Sequence, residues 1–333
     1  MTLAISLLVV SLAAILLAAE LFTNGIEWFG HRLRLGEGAV GSILAAVGTA
    51  LPETTIAIVA VIAGGQAHTD VGIGAILGAP MMLSTLAMFI TGIAVLGFSA
   101  SGRRSREVHV NYKILGRDLR TFFVVYLIAL SAAFIPVRWG RICIGVFLLV
   151  TYAYYVRRTF TSSSKKTHEH ELGPLHLQRK APVPRLRMII FQLLVALGFM
   201  VGGAKLFLNN VTYIAGVIKL SPLVLSVIIT PIATELPEKL NSIIWIRQKK
   251  DTLALGNISG AMVFQSSITP AIGIFFTSWM LNPEAIASII IAVAATSIIW
   301  AGMNLRKRLS PYSLLIGGLL YAAYPIYVFG FRH

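Results

Sequence analysis

Apolar residues fall in long runs along this chain, and the polar residues gather in short breaks between them. Ten runs approach the roughly 20 residues a helix needs to cross a bilayer: 3–22, 39–64, 71–98, 119–136, 139–156, 188–209, 221–246, 253–280, 284–303 and 311–330. The first could serve as a secretory signal, but it starts almost at Met1 with no basic residue ahead of it, so it reads as the first span. The expectation is an all-α integral membrane protein of ten transmembrane helices. One sizeable hydrophilic segment, 157–187, separates the fifth span from the sixth.

Two apolar runs carry the same polar interruption: Val47-Gly48-Thr49-Ala50-Leu51-Pro52-Glu53 and Ile232-Ala233-Thr234-Glu235-Leu236-Pro237-Glu238. A shift of 185 residues lays Leu21, Phe22, Asn24, Leu35, Ile43, Thr49, Leu51, Pro52 and Glu53 on Leu206, Phe207, Asn209, Leu220, Ile228, Thr234, Leu236, Pro237 and Glu238 without a gap. A slip of three residues then brings Gly74 and Gly78 onto Gly256 and Gly260. The chain therefore divides into a first five-helix repeat, 1–156, a linker, 157–187, and a second five-helix repeat, 188–333. Because five is odd, the second repeat enters the membrane from the other side. Inverted repeats with helices broken at the midplane are the architecture of secondary transporters, whose ion sites lie where the repeats meet.

Composition agrees with the membrane reading: 56% of the 333 residues are hydrophobic and 12% charged, with a mean hydropathy of +0.81. The net charge of +15 is no nucleic-acid signal, because the basic residues lie in short runs between spans. Of the 28 lysines and arginines, 22 fall at one set of span ends and 4 at the other. That bias makes loop 157–187 cytoplasmic and both termini extracellular in a multi-pass cell-membrane protein. With Ser162-Ser163-Ser164, three prolines and eight basic residues, the loop reads as a flexible linker near anionic lipid. His168, His170 and His176 lack the cysteines or acids of a metal site, so a solvated linker is the preferred reading. Cys143 lies in an apolar run and can form no internal disulfide.

An ionisable group inside a bilayer is costly and usually functional. Pro52 has no N–H for the carbonyl of Gly48, nor Pro237 for that of Ala233, so each helix frees an oxygen that can bind a cation. Thr49 and Glu53 are four residues apart, as are Thr234 and Glu238, which puts hydroxyl and carboxylate on one face. Two such faces meeting across a pseudo-two-fold axis offer the oxygens that a hard divalent cation such as calcium prefers. The alternative is that the glutamates are structural and the prolines ordinary kinks. The glycine pairs Gly74/Gly78 and Gly256/Gly260 allow close helix approach. Asn257 and Gln265, eight apart, lie near one helix face.

The doubled threonine-x-leucine-proline-glutamate motif, each copy followed by a glycine-pair helix, resembles the α-repeats of the sodium/calcium exchanger family within the calcium:cation antiporter superfamily. The resemblance implies antiport of calcium against sodium or protons, with Glu53 and Glu238 as central calcium ligands and Thr49 and Thr234 adding oxygens. Its short linker is similar to that of prokaryotic members. Where the family has serine after the threonine, this chain has Ala50 and Glu235; in the partner helices Ala79, Ala261, Leu83 and Gln265 stand at positions usually held by oxygen-bearing ligands. Glu235 and Gln265 thereby join the candidate metal ligands. Lys239, four residues after Glu235 in the favourable order for an ion pair, is a candidate tethered cation, or else snorkels away from the site.

The expected function is a secondary-active cation antiporter, with a non-transporting membrane sensor or scaffold as the alternative. An intramembrane enzyme is set aside, since no His-Glu-x-x-His pair or nucleophile with a base occurs. Partners are inorganic cations and the lipid bilayer, with no cofactor and no nucleic acid. The pattern sets no oligomeric state.

Overall fold

The computed structural model describes residues 1–32, 45–162, 173–179, 181, 183–306 and 308–330; at 45–49, 160–162, 236–241 and 306 it describes the main chain alone. Among the described residues the chain is helical, with one isolated bridge between Val108 and Leu309. The helices are α1 (Thr2–Arg32), α2 (Ala45–Ala63), α3 (Gln66–Ala100), α4 (Tyr112–Ser131), α5 (Arg138–Ser162) and α6 (Leu186–Val217). They continue as α7 (Pro222–Thr234), α8 (Leu236–Arg247), α9 (Asp251–Phe276), α10 (Pro283–Arg306) and α11 (Pro311–Gly330). Seven of the described helices, α1, α3, α5, α6, α9, α10 and α11, are long and apolar enough to cross a membrane.

Helix ends follow local chemistry. Asn111 caps α4, its side-chain oxygen accepting from the amides of Lys113 and Ile114 at 3.1 and 3.3 Å. Proline opens α7, α10 and α11, where its missing N–H costs nothing and its fixed φ suits the first turn. Several helices outrun the apolar windows. α1 continues to Arg32 rather than stopping at 22, α4 starts at Tyr112 rather than 119, and α5 reaches Ser162 rather than 156. At 31 residues, α1 is about 46 Å long, well beyond a hydrocarbon core of about 30 Å. Hydropathy marks the part in lipid, while backbone hydrogen bonding carries the helix past it.

The core is formed by α3 and α9, the most enclosed of the candidate spans. α2 packs on α3, α7 and α9, and α3 packs on α7 and α9. α1 lies along α6, and the two expose Leu3, Val9 and Leu17, and Phe191, Leu194 and Phe199, as lipid-facing helices do. Lys205 on α6 is likewise exposed. α3 contains a π-helical turn, Leu83–Ala87, roughly halfway along.

Part of the linker departs from the flexible, solvated expectation. Residues 173–178 are strapped across α1 and α6. The Trp28 indole and the Asn24 amide donate to the carbonyls of Gly173 and Pro174 at 2.9 and 3.3 Å. The amides of His176 and Leu177 donate to the side-chain oxygens of Asn24 and Gln192 at 3.1 and 2.9 Å. Leu175 is fully buried with Trp28 and Ile189. The imidazole of His176 faces Glu20 at 3.7 Å; His168 and His170 lie outside the described residues.

Candidate functional site

The two motif-bearing segments differ. Pro52 lies inside α2, which runs through it without a break; the expected interruption there does not occur. Glu53 is buried on this helix at 1% exposure, with Ala50, Ile56 and Ala57 also enclosed. Thr54 donates its hydroxyl to the Ala50 carbonyl at 2.7 Å. Thr49 is helical, but its side chain lies outside the described residues.

The second segment does break, at Glu235, which stands alone between α7 and α8 with φ −93° and ψ −35°. Pro231 sits inside α7 and Pro237 in the first turn of α8, so the carbonyls of Val227 and Ala233 lose their usual donors within two turns. Glu235 is 1% exposed. The Gln265 side chain, reaching across from α9, donates to Glu235 Oε1 at 3.0 Å. The other end of that amide, Gln265 Oε1, is buried with no hydrogen-bond partner among the described residues. Thr234 is buried and donates to the Thr230 carbonyl at 2.8 Å, which leaves its hydroxyl oxygen able to accept or ligate. The side chains of Glu238 and Lys239 lie outside the described residues.

Of the expected site residues, the structure thus brings Glu235 and Gln265 into direct contact, buries Glu53 and Thr234 on α2 and α7, which pack on one another, and describes only the main chain of Thr49, Glu238 and Lys239. Further hydroxyls line the same core. Ser84, in the π turn, and Ser266 both back-bond within their helices to Met81 and Val263, at 3.1 Å each. They are equivalent in the register that pairs the glycines.

Close approach of α3 to α7 holds this region together. A Cβ at Gly74 would lie 2.5 Å from the Leu223 carbonyl oxygen, and one at Gly78 would lie 2.5 Å from that of Val227. Ser226 on α7 donates to the Val71 carbonyl of α3 at 2.7 Å and lies 2.9 Å from the Thr230 hydroxyl. Among the described residues nothing lies within 4 Å of a Cβ at Gly256 or Gly260; their partners under the repeat would be Gly38 and Ser42, which are outside the described range.

Two polar nodes escaped the sequence reading. Asp118 on α4 accepts from Ser259 of α9 at 2.8 Å, from Tyr155 of α5 at 3.0 Å and from Arg117, while Arg117 also stacks over the Tyr155 ring. An apolar window that starts at 119 leaves this carboxylate in a loop, whereas α4 starts at Tyr112 and includes it. The second node is a buried ion pair of Arg104 with Asp251 at 2.7 Å.

The model of the family described as sodium/calcium exchanger protein matches residues 3–161 and 188–332. The chain belongs to the sodium/calcium exchanger family. It is a membrane cation antiporter and not an enzyme. Among curated relatives, this exchanger is 24% identical to the inner membrane protein YrbG of Escherichia coli over 96% of its own length and 95% of that protein's. It is 23% identical to the putative antiporter CaxA of Alkalimonas amylolytica, covering 90% and 89% of the two. Its fold matches the crystal structure of the H+/Ca2+ exchanger CAX with a TM-score of 0.74 at 17% identity, covering 98% of this chain and 86% of that one. It also matches the sodium-calcium exchanger NCX_Mj with a TM-score of 0.57 at 20% identity, covering 100% and 99%.

Proposed function

We propose that this antiporter exchanges calcium for protons across the cell membrane, through a site built from Glu53, Glu235, Glu238, Gln265, Thr49 and Thr234. The observation that carries the reading is the buried Glu235–Gln265 pair at the helix break, with Glu53 buried on neighbouring α2. Calcium requires several oxygens and tolerates a mixture of carboxylate, amide, hydroxyl and carbonyl ligands. Each of those chemistries is represented here. Protons suit the set better than sodium does, because Ala50, Ala79, Ala261 and Leu83 contribute no side-chain oxygen, whereas three glutamates can each take up a proton once calcium leaves. Lys239, four residues beyond Glu235, would serve as a fixed cation that balances the added carboxylate.

The supporting architecture is two inverted five-helix repeats, 1–156 and 188–333, joined by the linker 157–187. Taken together, α7 and α8 count as one broken span, and the ten crossings set both termini outside and the linker in the cytoplasm. Calcium uptake into proteoliposomes, driven separately by a pH gradient and by a sodium gradient at clamped pH, tests the exchange. Uptake driven by the pH gradient is expected. Uptake driven by sodium alone would reassign the counter-ion to sodium, and uptake under neither gradient would reject calcium as cargo.

A further inference from the structure

Arg104 follows α3 in a loop and is enclosed, its side chain 2% exposed and that of Asp251 1%. All five of its N–H donors are used. Two form a fork on the Asp251 carboxylate, each at 2.7 Å. The other three reach the carbonyls of Ile246 at 2.9 Å, Glu107 at 2.9 Å and Ser105 at 3.2 Å. Asp251 accepts a further bond, 2.8 Å from the amide of His109. One guanidinium therefore ties the last turn of α8, through Ile246, to the first residue of α9, and ties both to the chain leaving α3. Between them the main chain makes a tight turn with Lys249 at φ 60°, a left-handed conformation that an L-residue adopts only when its surroundings hold it.

The consequence reaches the ion site along the helices. Eleven residues separate Ile246 from Glu235 and fourteen separate Asp251 from Gln265, or about 16 and 21 Å along the two helix axes. α8 and α9 pack on one another, so their axial register decides whether the Gln265 amide meets Glu235 at bonding distance. We infer that Arg104 is a positioning residue for the ion site: by gripping the end of α8 and the start of α9 in one planar fork, it sets the register in which the Gln265 amide meets Glu235 and the ion. Asp251 completes the grip and also places a negative charge on the first turn of α9, where the helix dipole favours it. Only arginine can do this. A lysine supplies the same charge as a compact ammonium with no planar fork, and cannot satisfy both Asp251 oxygens and three carbonyls at once.

The inference rests on Glu235 and Gln265 belonging to the cation site, and its test has one arm independent of that assignment. In hydrogen–deuterium exchange on the purified full-length protein, Arg104→Lys should speed exchange both over 245–254 and over 232–240; Asp251→Asn serves as the second variant should the first not fold. Unchanged exchange at 232–240 would overturn the inference whatever ion is carried. In proteoliposomes, Arg104→Lys should raise the KM for calcium about 10-fold, the range seen when support behind a metal ligand is lost, with Vmax per folded molecule held. Combined with Gln265→Ala, it should add nothing, because both changes remove the same ligand geometry. A full further rise in KM on the Gln265→Ala background, or a loss confined to Vmax, would reduce Arg104 to an ordinary structural residue. Absence of calcium uptake by the parent would instead sink the calcium reading and leave the exchange measurement to decide the role of Arg104.

Discussion

The contact between α3 and α7 offers a sharp perturbation, because two glycines on α3 face backbone rather than flexible side chains. Alanine at Gly78 places its Cβ 2.5 Å from the Val227 carbonyl oxygen and 2.7 Å from Pro231 Cγ. Ordinary van der Waals contact begins near 3.4 Å, so the helices must separate by about 0.9 Å at that point. Neither neighbour can rotate away, since one is main chain and the other a proline ring in the helix that leads to Glu235. Gly74 faces the same problem one turn earlier against Leu223 and Ser226. Overpacking of this kind costs about 1–3 kcal/mol, and the separation would also stretch the 2.7 Å bond from Ser226 to Val71. Gly202 on α6 is the control, because among the described residues nothing lies within 4 Å of a Cβ there. Alanine in a helix is favoured over glycine by about 1 kcal/mol, so Gly202→Ala should be neutral or stabilising. Unfolding by titrated denaturant in detergent micelles measures both. Equal midpoints for Gly78→Ala and Gly202→Ala would refute the claim that α7 is held against α3 by glycine contact.

Glu53→Gln and Glu238→Gln should each abolish calcium-dependent flux in proteoliposomes while leaving a monodisperse, folded protein; near-normal flux from either would remove that residue from the site. Ser259→Ala takes away a hydrogen bond to the buried Asp118 carboxylate and should cost about 1–3 kcal/mol, read in the same micelle unfolding assay, whereas Ser131→Ala, on an exposed hydroxyl bonded to its own helix, should change little. Leu175→Ala empties the pocket between Trp28 and Ile189 and should speed tryptic cleavage at Arg179 several-fold, and unchanged cleavage would show that the strap is not held by that side chain. A tag near Ser163 should be protected in right-side-out vesicles while one after His333 is labelled; labelling of both would reject the odd number of crossings, five, between the linker and the C-terminus.

Much of the architecture was legible because hydropathy and repetition are strong signals in a membrane chain. The apolar windows located the helices, the doubled motif pointed to Glu53, Thr234 and Glu235, and the partner-helix position pointed to Gln265; all four are buried. What escaped were polar contacts between segments distant in sequence. Arg104 and Asp251, 147 residues apart, look from sequence like two unremarkable charges in loops, and neither composition nor spacing says that they meet. Asn24, just past the first apolar run, and Gln192, inside the sixth, are similar: their amides bond a linker whose composition suggests only solvation.

The helix break shows why a motif does not fix its own geometry. Both copies contain the same proline, yet α2 continues through Pro52 and the second copy parts at Glu235. One missing N–H is a tolerable fault in a helix when other contacts bridge it. In α2 Pro52 frees the Gly48 carbonyl alone, and the position corresponding to Pro231 is Ala46, so the fault stands by itself and the helix continues. In the second copy Pro231 and Pro237 remove two donors six residues apart. Two faults within two turns interrupt the regular helix, and it is divided at Glu235 between them, although the Glu235 amide still donates to the Pro231 carbonyl at 2.9 Å. The residue at the break is Glu235, where the first copy has Ala50, and a carboxylate there finds the Gln265 amide at 3.0 Å. The asymmetry between the repeats is therefore written in two differences, Pro231 where the first copy has Ala46 and Glu235 where it has Ala50, and it puts the second repeat, rather than both equally, in charge of presenting the carboxylate and amide oxygens at the break.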